Sequence, residues 1–90
     1  MKANHAQVSR LLKTARGQLD GILRMVDSDR YCMDIAHQIS ATQSILNRVK
    51  KEILLAHVDH CVNASVHSQD EEDIQEKLSE IKSIIEELSK

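Results

Sequence analysis

The chain has ninety residues, a formal charge of −2 at pH 7, one aromatic residue, two glycines and no proline, which fits one small domain over residues 1–90. β-Sandwich and α/β folds need turn residues and β-formers that this composition lacks, so it points to long helices and, with so thin a core, to self-association. No apolar run approaches the roughly 20 residues of a membrane span, and the start MKANHAQVSR lacks the apolar stretch of a signal peptide, so the expectation is a cytoplasmic protein.

The first predicted helix carries Val8, Leu11, Leu12, Ala15, Leu19, Ile22, Leu23 and Val26 at helical spacing. It ends at Asp27-Ser28-Asp29, a cluster suited to cap the next helix. The second runs from about Arg30 to about His67 without glycine or proline, on Ile35, Ile39, Ile45, Leu46, Val49, Ile53, Leu54, Val58, Val62 and Val66. Such a helix is roughly 50 Å long and needs a partner helix along its length. Ser68 and Glu71 have the spacing of a capping box and open a third helix on Ile74, Leu78, Ile81, Ile84, Ile85 and Leu88. The expected fold is therefore all-α, with three helices per chain in an antiparallel bundle dimer.

Charge is unevenly spread. Residues 1–16 and 35–51 carry bases and no acid, whereas residues 70–90 are dominated by Asp and Glu. Arg10, Lys13 and Arg16 recur on the first helix; Arg48, Lys50 and Lys51 cluster near the middle of the second.

Two cysteines in a cytosolic chain are more readily thiols with a task than a disulfide. His57 and Cys61 sit one helical turn apart, where imidazole and thiolate reach one ion. Cys32 lies roughly 37 Å from His57 along a straight helix, so it joins them only from a second copy. Antiparallel pairing achieves this, with the two-fold axis between Ile45 and Leu46 and two equivalent sites per dimer. Two thiolates and an imidazole suit Cu(I); zinc would want a fourth ligand, from His60 or a carboxylate. The competing reading is an ordinary core cysteine beside a surface histidine.

Arg16-Gly17-Gln18-Leu19-Asp20-Gly21-Ile22, Tyr31-Cys32, Gln38-Ile39-Ser40-Ala41 and His57 through Cys61 together resemble the CsoR/RcnR family of metal-responsive bacterial repressors. The resemblance implies a dimer of dimers that holds double-stranded operator DNA when metal-free and releases it on binding metal. It implies the Cys–His–Cys set of the copper-sensing branch at Cys32, His57 and Cys61. It also implies a tyrosine and a glutamate behind the histidine. Tyr31 fits, but Lys77 falls at the glutamate position, leaving Glu76 or Glu80 to serve. Where the family often has an arginine this chain has Leu11, with Arg10 one position earlier.

Basic residues on amphipathic helices are ordinarily a solvated face. The resemblance turns them into expected DNA contacts, Arg16 and Arg48 foremost, with Arg10, Lys13, Lys50 and Lys51 adding phosphate neutralisation. The resulting expectation is a Cu(I)-responsive repressor acting as a homodimer or homotetramer. The alternatives are a thiol-based sensor that links Cys32 to Cys61, and a ligand-free helical oligomerisation module. No phosphate loop, triad order or acid pair suggests an enzyme.

Overall fold

The structure is a computed structural model that describes the whole chain apart from the side chain of Ser65. It contains three helices, α1 (His5–Asp27), α2 (Cys32–His67) and α3 (Glu71–Leu88). By internal packing the chain divides into residues 4–50 and residues 1–3 with 51–90.

In the first unit, Asn4 caps α1, its side-chain oxygen accepting from the Gln7 amide at 3.1 Å. Buried or half-buried residues of α1 then recur at alternating steps of three and four: Val8, Leu11, Ala15, Gln18, Ile22 and Met25. The same rhythm on α2 selects Ile35, Gln38, Thr42, Ile45 and Val49. This is the seam of a coiled-coil hairpin. One layer of it is polar: the Thr42 hydroxyl donates to Gln18 Oε1 at 2.8 Å and shares that proton with the Gln38 carbonyl at 3.2 Å. Thr42 is 3% exposed, so this pairing satisfies a hydroxyl cut off from water.

The turn between α1 and α2 corrects one expectation. Asp27-Ser28-Asp29 ends α1 instead of capping α2. Ser28 is the C-cap, and Asp29 takes a left-handed backbone with φ 52°. The Asp29 amide donates to the Val26 carbonyl and the Arg30 amide to the Met25 carbonyl, at 3.0 and 2.9 Å. Those two bonds form a Schellman motif, and aspartate tolerates the left-handed position better than most residues. Helix α2 begins at Cys32, two residues later than expected, its first turn closed by the Tyr31 carbonyl.

The second unit packs α3 on the C-terminal part of α2, with Cys61 and Ile84 as its buried residues. Half-buried Ile53, Leu54, Val58, Ile74, Ile81 and Leu88 surround them. The N-terminus of α3 also differs from expectation. Asp70, not Ser68, is the N-cap, its Oδ1 accepting from the Glu72 amide at 3.0 Å. The helix starts at Glu71, so Ser68 lies too far upstream to reach the first-turn amides and instead accepts from the Asp70 amide at 3.3 Å. A carboxylate at this position also complements the helix dipole.

A second apolar row is left exposed. It comprises Leu12, Leu19, Leu23 and Val26 on α1, with Met33, Ile39 and Leu46 on α2. No helix is long and apolar enough to cross a membrane.

Candidate metal centre

Among the described residues, one group of ligand-bearing side chains converges: His57, Cys61 and Glu80 offer a ring nitrogen, a sulfur and a carboxylate oxygen within 4.8 Å of one another. Helix α2 supplies the first two from successive turns of one face, and α3 supplies the third. The His57 Nε2 meets Glu80 Oε1 directly. When Nε2–H donates to that carboxylate, the lone pair lies on Nδ1, which becomes the ligating nitrogen. Second-sphere carboxylates orient metal-binding imidazoles in this way.

Cys61 is 1% exposed. Burial pushes its thiol above the ordinary value. The neighbouring Glu80 charge and the hydrogen bond to that carboxylate add to the rise, and Lys77 opposes it. Glu80 moves the other way: its hydrogen bond with His57 holds the carboxyl below the usual range, with help from the nearby charges of His57 and Lys77 and against desolvation. The cysteine therefore rests as a thiol near neutrality and must give up its proton to bind metal. An open groove of about 450 Å³, lined by Ile53, Leu54, His57, Glu80 and Ile84, gives access to the imidazole and carboxylate.

Of the two glutamates that sequence left open, only one contacts the imidazole. Glu80 touches His57, whereas Glu76, one turn earlier on α3, is exposed. Tyr31 is 66% exposed on the turn before α2, and Cys32 is exposed at the first position of that helix. Helix α2 is unbroken from Cys32 to His67, as expected.

The remaining predicted residues are surface groups. Arg10, Lys13 and Arg16 on α1 and Arg48 and Lys51 on α2 are exposed, and Lys50 is half-buried. Sequence reading missed a neighbour of these residues. Gly17 is exposed within α1, and a Cβ built on it meets nothing within 4 Å. Glycine costs about 1 kcal/mol relative to alanine inside a helix, and no packing within this chain requires it.

An all-helical chain that gathers imidazole, thiol and carboxylate at a helix–helix contact has the makings of a metal sensor. The metal-sensitive transcriptional repressor family matches residues 4–87, and the chain belongs to that family. It is similar to the copper-sensing transcriptional repressor CsoR of Mycobacterium ulcerans, 53% identical over 61% of this chain and 47% of that protein. It also resembles CsoR of Bacillus subtilis strain 168, 40% identical over 83% of this chain and 74% of that one. The matched stretch thus spans about half of the mycobacterial relative's length. Among solved structures, the nickel-responsive transcriptional regulator InrS shares the fold, with TM-score 0.83 at 24% identity over 98% of this chain and 96% of that one. The family is one of transcriptional repressors and not of enzymes, in line with the sequence.

Proposed function

We propose that this chain is a cytoplasmic Cu(I)-responsive repressor, acting over residues 1–90 as one metal-sensing and DNA-binding domain. The observation that carries the reading is the convergence of His57 and Cys61 with Glu80 behind the imidazole. His57 and Cys61 of one copy bind the ion together with Cys32 of an antiparallel second copy, a soft three-donor set suited to Cu(I). Glu80 holds the ring in its binding tautomer, and Tyr31 of the second copy arrives beside its Cys32. The names of the copper-sensing relatives support the choice of metal.

Two copies, or four as a dimer of dimers, cover the exposed apolar row described above. Leu46, 44% exposed, lies at the expected two-fold crossing. Double-stranded operator DNA is bound through the repeated row of Arg10, Lys13 and Arg16 together with Arg48, Lys50 and Lys51. The bare Gly17 beside Arg16 leaves room for a DNA backbone to approach closely. Ligation between copies favours one interhelical geometry over another. A coupling of about 3 kcal/mol lowers DNA affinity more than a hundredfold.

The thiol-sensor alternative fits less well. A buried cysteine held as its thiol is a poor nucleophile. A ligand-free module would have no use for the converging donors.

The deciding experiment is anaerobic Cu(I) titration followed in parallel by X-ray absorption and operator-DNA anisotropy. The expected result is two sulfurs and one nitrogen on copper, with DNA release as the site fills. A Cys32→Ala variant that binds Cu(I) as tightly as wild type and still releases DNA overturns the reading.

A further inference from the structure

Helix α2 carries two rows of residues at alternating steps of three and four. One row faces α1, at Ile35, Gln38, Thr42, Ile45 and Val49. The other lies one residue later each time, roughly 100° round the helix. It starts at Cys32, passes through Ile39, Gln43, Leu46 and Lys50, and reaches His57. Ile39 and Leu46 are 43% and 44% exposed in the single chain. In the middle of this row lies an open groove of about 550 Å³, lined by Ser40, Gln43, Ser44, Leu46, Asn47 and Lys50. Residues at both ends of the row are the ones proposed to meet across two copies, so the groove falls on the stretch where those copies lie together.

We infer that the groove receives a second copy of this chain, and that Gln43 of each copy pairs there with Lys50 of the other to fix the register of α2 on α2. The inference rests on the antiparallel pairing proposed above and supplies what sets its alignment. About an axis between Ile45 and Leu46, Gln43 of one copy and Lys50 of the other fall on the same side of the axis, roughly 3 Å apart along the helix direction. The two-fold makes this contact twice. The Lys50 ammonium donates to Gln43 Oε1, and its stem lies against Leu46. The other positions of the row, Ala36, Ile39, Leu46 and Ile53, bury similar hydrocarbon in several alignments. A polar residue in such a seam selects one of them at some cost in stability. Sliding by a heptad carries each ammonium roughly 10 Å from its amide and sets it against hydrocarbon. The selected alignment is the one that brings Cys32 to His57 and Cys61. Gln43 is neutral, so the Lys50 charge still adds to the field that attracts DNA.

The test is a charge swap read by sedimentation equilibrium of the metal-free, full-length chain at fixed ionic strength, with circular dichroism as the check on folding. Gln43→Glu sets a carboxylate against Lys50 of the other copy and tightens self-association by about three- to tenfold. Gln43→Lys opposes two ammonium groups, twice per dimer, and weakens it by at least about tenfold. Adding Lys50→Glu to Gln43→Lys restores association to within about threefold of the Gln43→Glu level. Within one chain these positions are two turns apart, so the rescue reports contact between copies. Effects of the two substitutions that merely add overturn the lock. So does a Gln43→Lys variant that binds operator DNA more tightly while associating as wild type does, because the groove is then a DNA contact. A wild-type chain that stays monomeric overturns the lock together with the pairing beneath it. Wild-type association with an additive cycle overturns the lock alone, and Cu(I) titration of Cys32→Ala still reports separately on the repressor reading.

Discussion

The two helix pairs of this chain solve the same packing problem with different chemistry. Residues 4–50 close a coiled-coil hairpin mainly with apolar side chains, interrupted by a polar layer in which Thr42 donates a neutral hydrogen bond to Gln18. Residues 51–90 place a thiol at the most buried position and set an imidazole and a carboxylate against each other nearby. The first arrangement has little to gain from a ligand. The second holds donors whose proton arrangement must change before an ion enters, so its geometry answers to solution conditions. A stiff frame and a responsive centre are thus separated along the sequence, with basic residues concentrated in the former.

Substitutions in the seam and at the centre should therefore have different signatures. The largest stability effect is expected from Ile22→Ala. A buried residue in the aliphatic seam is truncated, at a cost of about 2–5 kcal/mol in urea or thermal unfolding. Cys61→Ala should have the converse signature. Helicity stays near wild type while Cu(I) affinity falls by more than the roughly 10–100-fold that an outer partner contributes, measured by competition with a Cu(I) chelator. Retained Cu(I) affinity in that variant would erase the contrast between the two pairs.

Smaller changes sharpen the comparison. Thr42→Val keeps shape but leaves Gln18 Oε1 without its donor, and should cost about 1 kcal/mol in denaturant unfolding. Gly17→Ala is expected to stabilise the chain by about 1 kcal/mol, because the new methyl meets only open space. The same variant should bind operator DNA more weakly in an anisotropy titration, and unchanged DNA affinity would remove Gly17 from the interface.

The smallest effects are those of pH. The Glu80 carboxyl is lowered in the folded chain, chiefly by the hydrogen bond with His57. Its contribution is present above the unfolded carboxyl value near ~4.3 and is lost as pH falls through the lower folded value. Glu80→Gln should flatten the acid limb of a stability–pH curve. Cys61 shifts upward, so a proton must leave on metal binding, and Cu(I) affinity should rise with pH through the neutral range.

Sequence made the helices legible because apolar spacing alone separates them, and it made His57 and Cys61 legible because one turn of helix fixes their relation. It did not decide between Glu76 and Glu80. Both lie on α3, one turn apart, and the choice depends on how α3 is registered against α2. The helix ends were misjudged where several good capping residues stand together. Ser68 and Asp70 compete for one N-terminus, and Asp27, Ser28 and Asp29 serve the end of α1 as readily as the start of α2. The Asn4 cap went unread, although asparagine three residues before Gln7 was a usable sign. Gln18 and Thr42 stood in plain view, but a pattern built from apolar residues passes over a polar layer.

That layer bears on the proposed DNA contacts without taking part in them. A join of Val, Leu, Ala and Ile alone could slip by a turn and still bury much the same hydrocarbon. The bond between a threonine on one helix and a glutamine on the other penalises a slipped alignment, since slippage leaves the glutamine oxygen without its donor while the hydroxyl keeps only its intrahelical bond to the Gln38 carbonyl. Arg16, two residues before that glutamine, is thereby held at a set offset from Arg48, six residues past that threonine. In the proposed DNA interface, a polyanion whose own charges come at regular intervals would meet cations that cannot drift.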